Sequence, residues 1–337
     1  MTSTSGILPC QAIDRLVAEG ALAAATPFAA DQVQPASLDL RLGATAWRVR
    51  ASFLPGRSRT VSDRLADVAM HQLDLTVGAV LEKGCVYVVE LQERLALPAG
   101  VSARANPKSS TGRVDVFVRL VTDRGAAFDD VAEGYTGPLF VEIAPQTFSV
   151  LVRAGTRLNQ LRLRRGPPAP RGITDVGVDL TGPLAGFRAR RHAGVIDLDR
   201  EDGHDPRDFW EPLEPRRGEL LLDPGEFYIL ASKQAVEIPA LDAAEMTPID
   251  PAVGEFRVHY AGFFDPGFGT EEAGGVGSRA VLEVRSHEAP FLLEDGQTVA
   301  RLVFEPLTER PAQLYGAGGS HYQQQGLKLS KHFRAWA

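Results

Sequence analysis

Short runs of Val, Phe, Tyr and Ile, broken at close intervals by glycine and proline, fill most of this chain. VYVVEL (86–91), VFVRLV (116–121), LFVEI (139–143), FSVLV (148–152), FYILA (227–231), FRVHY (256–260) and RAVLEV (279–284) have strand length and strand composition. The 33 glycines and 23 prolines that punctuate them predict an all-β sandwich or jelly roll, not alternating βαβ units. Helical spacing is confined to two places. Ile13, Leu16 and Val17 fall on one face of a helix over 9–19, with Pro9 in its first turn and Gly20 as its stop. A second short helix is predicted over 62–72. Residues 164–218, rich in Arg, Pro and Asp, read as a connector plus the opening of a second domain.

Three segments recur at one spacing. LEKGCVYVVELQERLALP (81–98) returns as LLDPGEFYILASKQAVEIP (221–239), FVEIAP (140–145) as VLEVRS (281–286), and VRAGTRLNQLRL (152–163) as LEDGQTVARLVF (293–304). Gly84 then matches Gly225, Glu142 matches Glu283 and Gly155 matches Gly296, each 141 residues apart. Chance matches do not hold one offset over some 70 residues, so the chain is a tandem duplication. The expected domains are 1–170 and 171–337, and 337 residues suffice for two buried cores.

Composition narrows the class. A net charge of −7 argues against a nucleic-acid coat or a membrane-surface protein, though a local basic pocket for phosphates stays open. The two cysteines, Cys10 and Cys85, lie far apart in sequence, which implies no disulfide framework and fits a reducing cytoplasm. No basic-then-apolar leader and no 18-residue apolar run occurs.

Several chemistries are missing from the sequence. His-x-Glu followed by Pro-Cys-x-x-Cys, HExxH, GxxxxGK[ST], GxGxxG and Gly-x-Ser-x-Gly are all absent, which removes the zinc deaminase pattern among others. In PKSSTGR (107–113), Lys108, Ser109 and Ser110 offer a cation, two hydroxyls and backbone N–H groups within one turn. That is either an anion cradle or an ordinary surface turn. Arg113 could hold a phosphate or a carboxylate, or end a strand at the surface. Glu283 alternates away from Leu282 and Val284, so it is either exposed on an outer face or buried against a pocket. Burial would raise its pKa and suit it to proton transfer.

QVQPASLDLRLG (32–43), PKSSTGR, HYAGFFDPGFG (259–269), AVLEV (280–284) and HYQQQG (321–326), in this order, resemble the signature of dCTP deaminases in the trimeric dUTPase superfamily. The resemblance covers most of the chain. It implies two tandem distorted β jelly-roll barrels with a short N-terminal helix, and zinc-independent deamination of dCTP to dUTP and ammonia. It also makes Glu283 the catalytic proton shuttle, with Ser109 and Arg113 beside it.

Copy one keeps the phosphate turn and copy two keeps the base-pocket motif and the tail. The resemblance therefore assigns Lys108, Ser109, Ser110 and Arg113 to the phosphates. Tyr260, Ala261, Phe264, Asp265, Tyr322, Gln325 and Lys328 fall to the rest of the nucleotide. Each copy has degenerated in the half that the other supplies, so one composite site type is expected. Mg²⁺ would travel on the triphosphate and no zinc is expected. The expected partners are dCTP, dTTP as a candidate inhibitor and further copies of the chain, with no nucleic acid and no membrane.

Two other readings stay open. AAFDDVAEGYTG (126–137) resembles a dUTPase base-pocket motif, in which Asp129 or Asp130 would activate water, giving a dUTP diphosphatase or a bifunctional enzyme. A duplicated jelly roll without catalysis, acting as a nucleotide-binding regulator, is the third. The glycines of TEEAGGVG (270–277) suggest a mobile loop beside the site.

Overall fold

The structure, a computed structural model, describes residues 5–249, 256–259 (backbone), 262–286, 289–317, 322–323 and 325–336. The chain folds as two units. The first comprises Met1–Ala169, Val195–Arg200 and Leu307–Ala312, and the second Pro170–Gly194, Glu201–Pro306 and Gln313–Ala337.

In the first unit the main path of strands runs Asp130–Val131, Val101–Pro107, Arg157–Arg165, Ser37–Val49, Val86–Ala96, Thr136–Pro145 and Val116–Thr122. Each neighbour pair on that path is antiparallel. Alternate residues of these strands point inward, so Leu38, Leu40, Leu42, Val89, Leu91, Val118, Leu120, Val141, Ile143, Leu161 and Leu163 form its core. A small sheet joins Ala79–Leu81 and Val150–Val152 to Ile196–Asp197. Arg153 anchors that returning segment by donating to both carboxylate oxygens of Asp197 (2.8 and 3.1 Å) and to Asp199 (2.9 Å).

The second unit has one sheet of Gly172–Gly177, Thr298–Pro306, Asp242–Pro248 and Phe263–Phe264. Another holds Trp210–Leu213, Gly186–Ala189, Phe227–Val236, Ser278–Ser286 and Phe256–His259. Their inner faces share a core that includes Val176, Leu230, Ile238, Leu282, Val284 and Leu302. The C-terminal segment closes this unit: Phe333 packs edge-on to Trp210 (5.9 Å between centroids) and against Phe209 (5.3 Å).

The all-β expectation holds, and the two predicted helices form. The first is Cys10–Ala18, burying Cys10, Ala12, Ile13 and Leu16. The second is shorter than predicted. It starts at a capping box between Thr60 and Asp63, spans Val61–Val68, and gives way to a strand at Ala69–Asp74. There, pairing with Ser37–Val49 wins over helix continuation. Residues 164–218, read as a connector plus the opening of a second domain, hold the strands Gly172–Gly177, Gly186–Ala189, Ile196–Asp197 and Trp210–Leu213.

The duplication is visible in strand register. Leu161 lies opposite Ala105, and 141 residues on Leu302 lies opposite Met246. Glu142 lies opposite Val88, as Glu283 lies opposite Ile229.

Candidate active site

The phosphate-type turn lies in the first unit. Pro107, which has no N–H to donate, ends the Val101–Pro107 strand, and the chain enters the single helical turn Ser109–Gly112. Thr111 and Gly112 donate to the Lys108 carbonyl (2.8 and 3.0 Å), and Arg113 donates to that of Ser109 (3.1 Å). These bonds fix the turn. Ser110, Thr111, Gly112 and Arg113 are buried, whereas Lys108 and Ser109 stay half-buried at its mouth. Lys108 Nζ donates to Asp39 Oδ2 at 2.5 Å, and Asp39 is itself buried. Arg157 lies 3.7 Å from the same oxygen and forks onto Asp31 (2.9 and 3.0 Å). The hydrogen bond from Arg157 holds the Asp31 carboxyl below its ordinary pKa. Lys108 of PKSSTGR therefore sits beside one further cation and two carboxylates, not among cations alone.

The glutamate strand lies in the second unit. On Ser278–Ser286, Ala280, Leu282 and Val284 are fully buried in the core. Glu283 points to the opposite face, yet only 5% of it is exposed. Of the two orientations left open by the sequence, the buried one is observed. Its register partners are Ile229 on one side and His259 on the other.

The DPGFG segment is shaped by its glycines. Phe263 and Phe264 pair with Glu245 and Ala244, and the Phe264 ring meets Phe268 edge-on at 5.2 Å. Asp265 is buried, and its carbonyl accepts the Phe268 N–H at 3.1 Å. Gly269 has φ +72°, and a Cβ there would sit 2.1 Å from the Val236 carbonyl oxygen. No other residue fits that approach. The following TEEAGGVG segment is tied back on itself: Gly275 donates to Thr270 (2.8 Å) and Gly277 to Gly269 (2.9 Å).

Described residues of the C-terminal segment pack on this unit. Gln325 Nε2 donates to the Arg279 carbonyl while Arg279 N–H donates to the Gln325 carbonyl, both at 2.9 Å, four residues before Glu283. Tyr322 accepts the Lys331 N–H on its hydroxyl (3.3 Å), and Lys328 Nζ lies 5.7 Å from the centre of its ring.

Of the sequence-predicted site residues, Lys108, Ser109, Ser110 and Arg113 thus share one turn. Phe264, Asp265, Glu283, Tyr322, Gln325 and Lys328 belong to the other unit, and Tyr260 and Ala261 lie outside the described residues. Asp129, the dUTPase-like candidate, has φ +61° and accepts the Leu120 N–H on its carboxylate at 2.7 Å, while Asp130 is exposed. Among the described residues no group of three or more His, Cys, Asp or Glu side chains could hold a metal ion.

Sequence reading missed Asp39, although its QPASLDLRLG context was in view. It also missed Gln323, whose side chain accepts the Gly269 N–H (3.2 Å) and donates to the Ala273 carbonyl (3.2 Å) across the DPGFG bend. Gln323 lies inside HYQQQG, and its neighbours offered the only signal.

Residues 4–167 match the N-terminal domain model of 2'-deoxycytidine 5'-triphosphate deaminase, and residues 152–333 match its C-terminal domain model. A crystal structure of 2'-deoxycytidine 5'-triphosphate deaminase from Agrobacterium tumefaciens is 54% identical with a TM-score of 0.87, over 90% of this chain and 99% of that one. The chain belongs to the dCTP deaminase family. Shorter family members match only part of it. A dCTP deaminase of Halorubrum lacusprofundi is 30% identical over 152 residues, 44% of this chain and 71% of that protein. A dUMP-forming dCTP deaminase of Halobacterium salinarum is 32% identical over 141 residues, 40% of this chain and 67% of its own.

Proposed function

We propose that Glu283 is the proton shuttle with which this enzyme converts dCTP to dUTP and ammonia. A buried carboxylate on the strand face away from the core, in a chain of this family, is the observation that carries the assignment. The carboxylate takes a proton from water as the oxygen attacks C4 of cytosine and delivers it to N3. The C4–N4 bond then breaks, with a second proton passing from the new hydroxyl to the departing ammonia. One group serves as base and then as acid, so no metal-activated water is required. Lys108, Ser109, Ser110 and Arg113 hold the phosphates, and Mg²⁺ rides on the triphosphate through phosphate oxygens and water. Phe264, Asp265, Tyr322, Gln325 and Lys328 enclose base and sugar. The retention pattern of the two copies supports assigning the phosphates to the first set and the base and sugar to the second. The resemblance also supports a homo-oligomer and inhibition by dTTP.

A second reading, further hydrolysis of dUTP to dUMP and pyrophosphate, is favoured by the dUMP-forming relative. Against it, the Asp129 carboxylate is engaged with backbone N–H. Separate incubations with dCTP and dUTP, assayed for ammonia and pyrophosphate, distinguish the two. Ammonia from dCTP with no pyrophosphate from either nucleotide supports simple deamination. Pyrophosphate from dUTP establishes the bifunctional enzyme.

A further inference from the structure

The first unit carries its own version of the glutamate strand, and it is occupied. Glu142, the counterpart of Glu283 in the repeat, lies on Thr136–Pro145 with Val141 and Ile143 turned into the core. Like Glu283 it faces the other way and is buried, at 3% exposure. The cross-strand position taken by His259 opposite Glu283 is taken opposite Glu142 by Arg119. Arg119 donates to Glu142 Oε1 at 2.5 Å and to Ser52 Oγ at 3.2 Å. Its guanidinium carbon lies 3.8 Å from the centre of the Phe128 ring, which is stacking distance. Glu142 Oε2 is buried and has no hydrogen-bond partner in the protein.

These features together describe a ligand site. A planar, delocalised cation stacks on an aromatic face and donates to a buried carboxylate. The donor edge of a protonated cytosine, N4–H₂ beside N3–H, has the same shape and polarity, and it would engage both carboxylate oxygens where Arg119 engages one. We propose that the first unit retains a base pocket closed by its own arginine. Arg119 is the built-in occupant, and the ligands it displaces are planar amidine-type cations and cytosine rings. The cytosine part of this rests on the role proposed for Glu283. The consequence is one working base pocket per chain in spite of the duplication.

The test uses the full chain. Arg119→Ala is expected to have a lower Tm than wild type, and millimolar methylguanidinium is expected to restore it saturably. Methylammonium, which cannot stack or fork, should not. Wild type and Arg119→Ala/Glu142→Gln should show no such rise. Absence of a rise in Arg119→Ala, or an equal rise in all three proteins, overturns the proposal. Should Arg119→Ala not fold, calorimetric titration of the Glu283→Gln enzyme with dCTP decides independently: one nucleotide per chain is expected, and two would show an open pocket in the first unit. If instead Glu283→Gln deaminates normally, the proposed role of Glu283 fails while the methylguanidinium result stands.

Discussion

Lys108 Nζ and the buried carboxylate of Asp39 meet at 2.5 Å, so the cation of the phosphate turn is held by an acid from a strand 69 residues earlier. The pairing gives Lys108 a structural duty beside the phosphate contact proposed for it. Lys108→Met should weaken dCTP binding by about 1.5–3 kcal/mol through loss of a charge-assisted phosphate contact. It should also destabilise the fold by about 1–3 kcal/mol, because buried Asp39 loses its nearest cation and keeps only Arg157, at 3.7 Å. Adding Asp39→Asn should restore Tm but not affinity. Thermal melts beside dCTP titrations of the single and double variants check this, and recovery of affinity in the double variant would deny Lys108 a phosphate role.

Gly269 should tolerate no side chain. Its φ of +72° and the 2.1 Å approach of a Cβ to the Val236 carbonyl oxygen combine strain with a clash against backbone that cannot step aside. Gly269→Ala should cost at least about 2 kcal/mol, from the left-handed conformation and the displaced strand together. It should lower kcat/KM for dCTP as the neighbouring Asp265 shifts. Melting temperature and steady-state kinetics are the readouts, and a variant with wild-type values of both would contradict the packing described.

The Arg153–Asp197 pair should leave a signature at low pH. Hydrogen bonding from Arg153 holds the Asp197 carboxyl below its ordinary value of 3.8. A depressed folded pKa contributes stability that is present above the unfolded value and lost as pH falls through the folded one. Arg153→Met should therefore melt below wild type at pH 7, with the gap narrowing from about pH 4 downward. A gap that stays constant to pH 2 would mean that Arg153 contributes by packing alone.

Much of this architecture was readable in the chain. Glu142 and Glu283 could be matched at 141 residues because a pleated strand keeps its side chains in fixed alternation, so matched segments carry matched faces. The burial of Glu283 was not readable, since alternation places it off the core face without saying what covers that face. Asp39 and Arg119 escaped for a related reason. Their partners lie 69 and 23 residues away, and a side-chain pair between strands leaves no periodic trace. The return of Val195–Arg200 to the first unit was likewise hidden, being decided by Arg153 and not by local propensity. The helix predicted over 62–72 ends at Val68, because from Ala69 the chain pairs as a strand with Ser37–Val49, a long-range choice that local spacing does not show.

The two glutamates separate the proposed chemistry from its alternatives most sharply. Ammonia release and dCTP binding should be measured for Glu283→Gln and Glu142→Gln side by side. An amide keeps the size and hydrogen-bonding capacity of the carboxylate but cannot carry a proton between water and base. Glu283→Gln should therefore bind dCTP nearly as wild type while releasing no ammonia, and Glu142→Gln should deaminate at close to the wild-type rate with some loss of Tm. Loss of turnover in Glu142→Gln, with turnover retained in Glu283→Gln, would place the chemistry in the first unit and contradict the assignment.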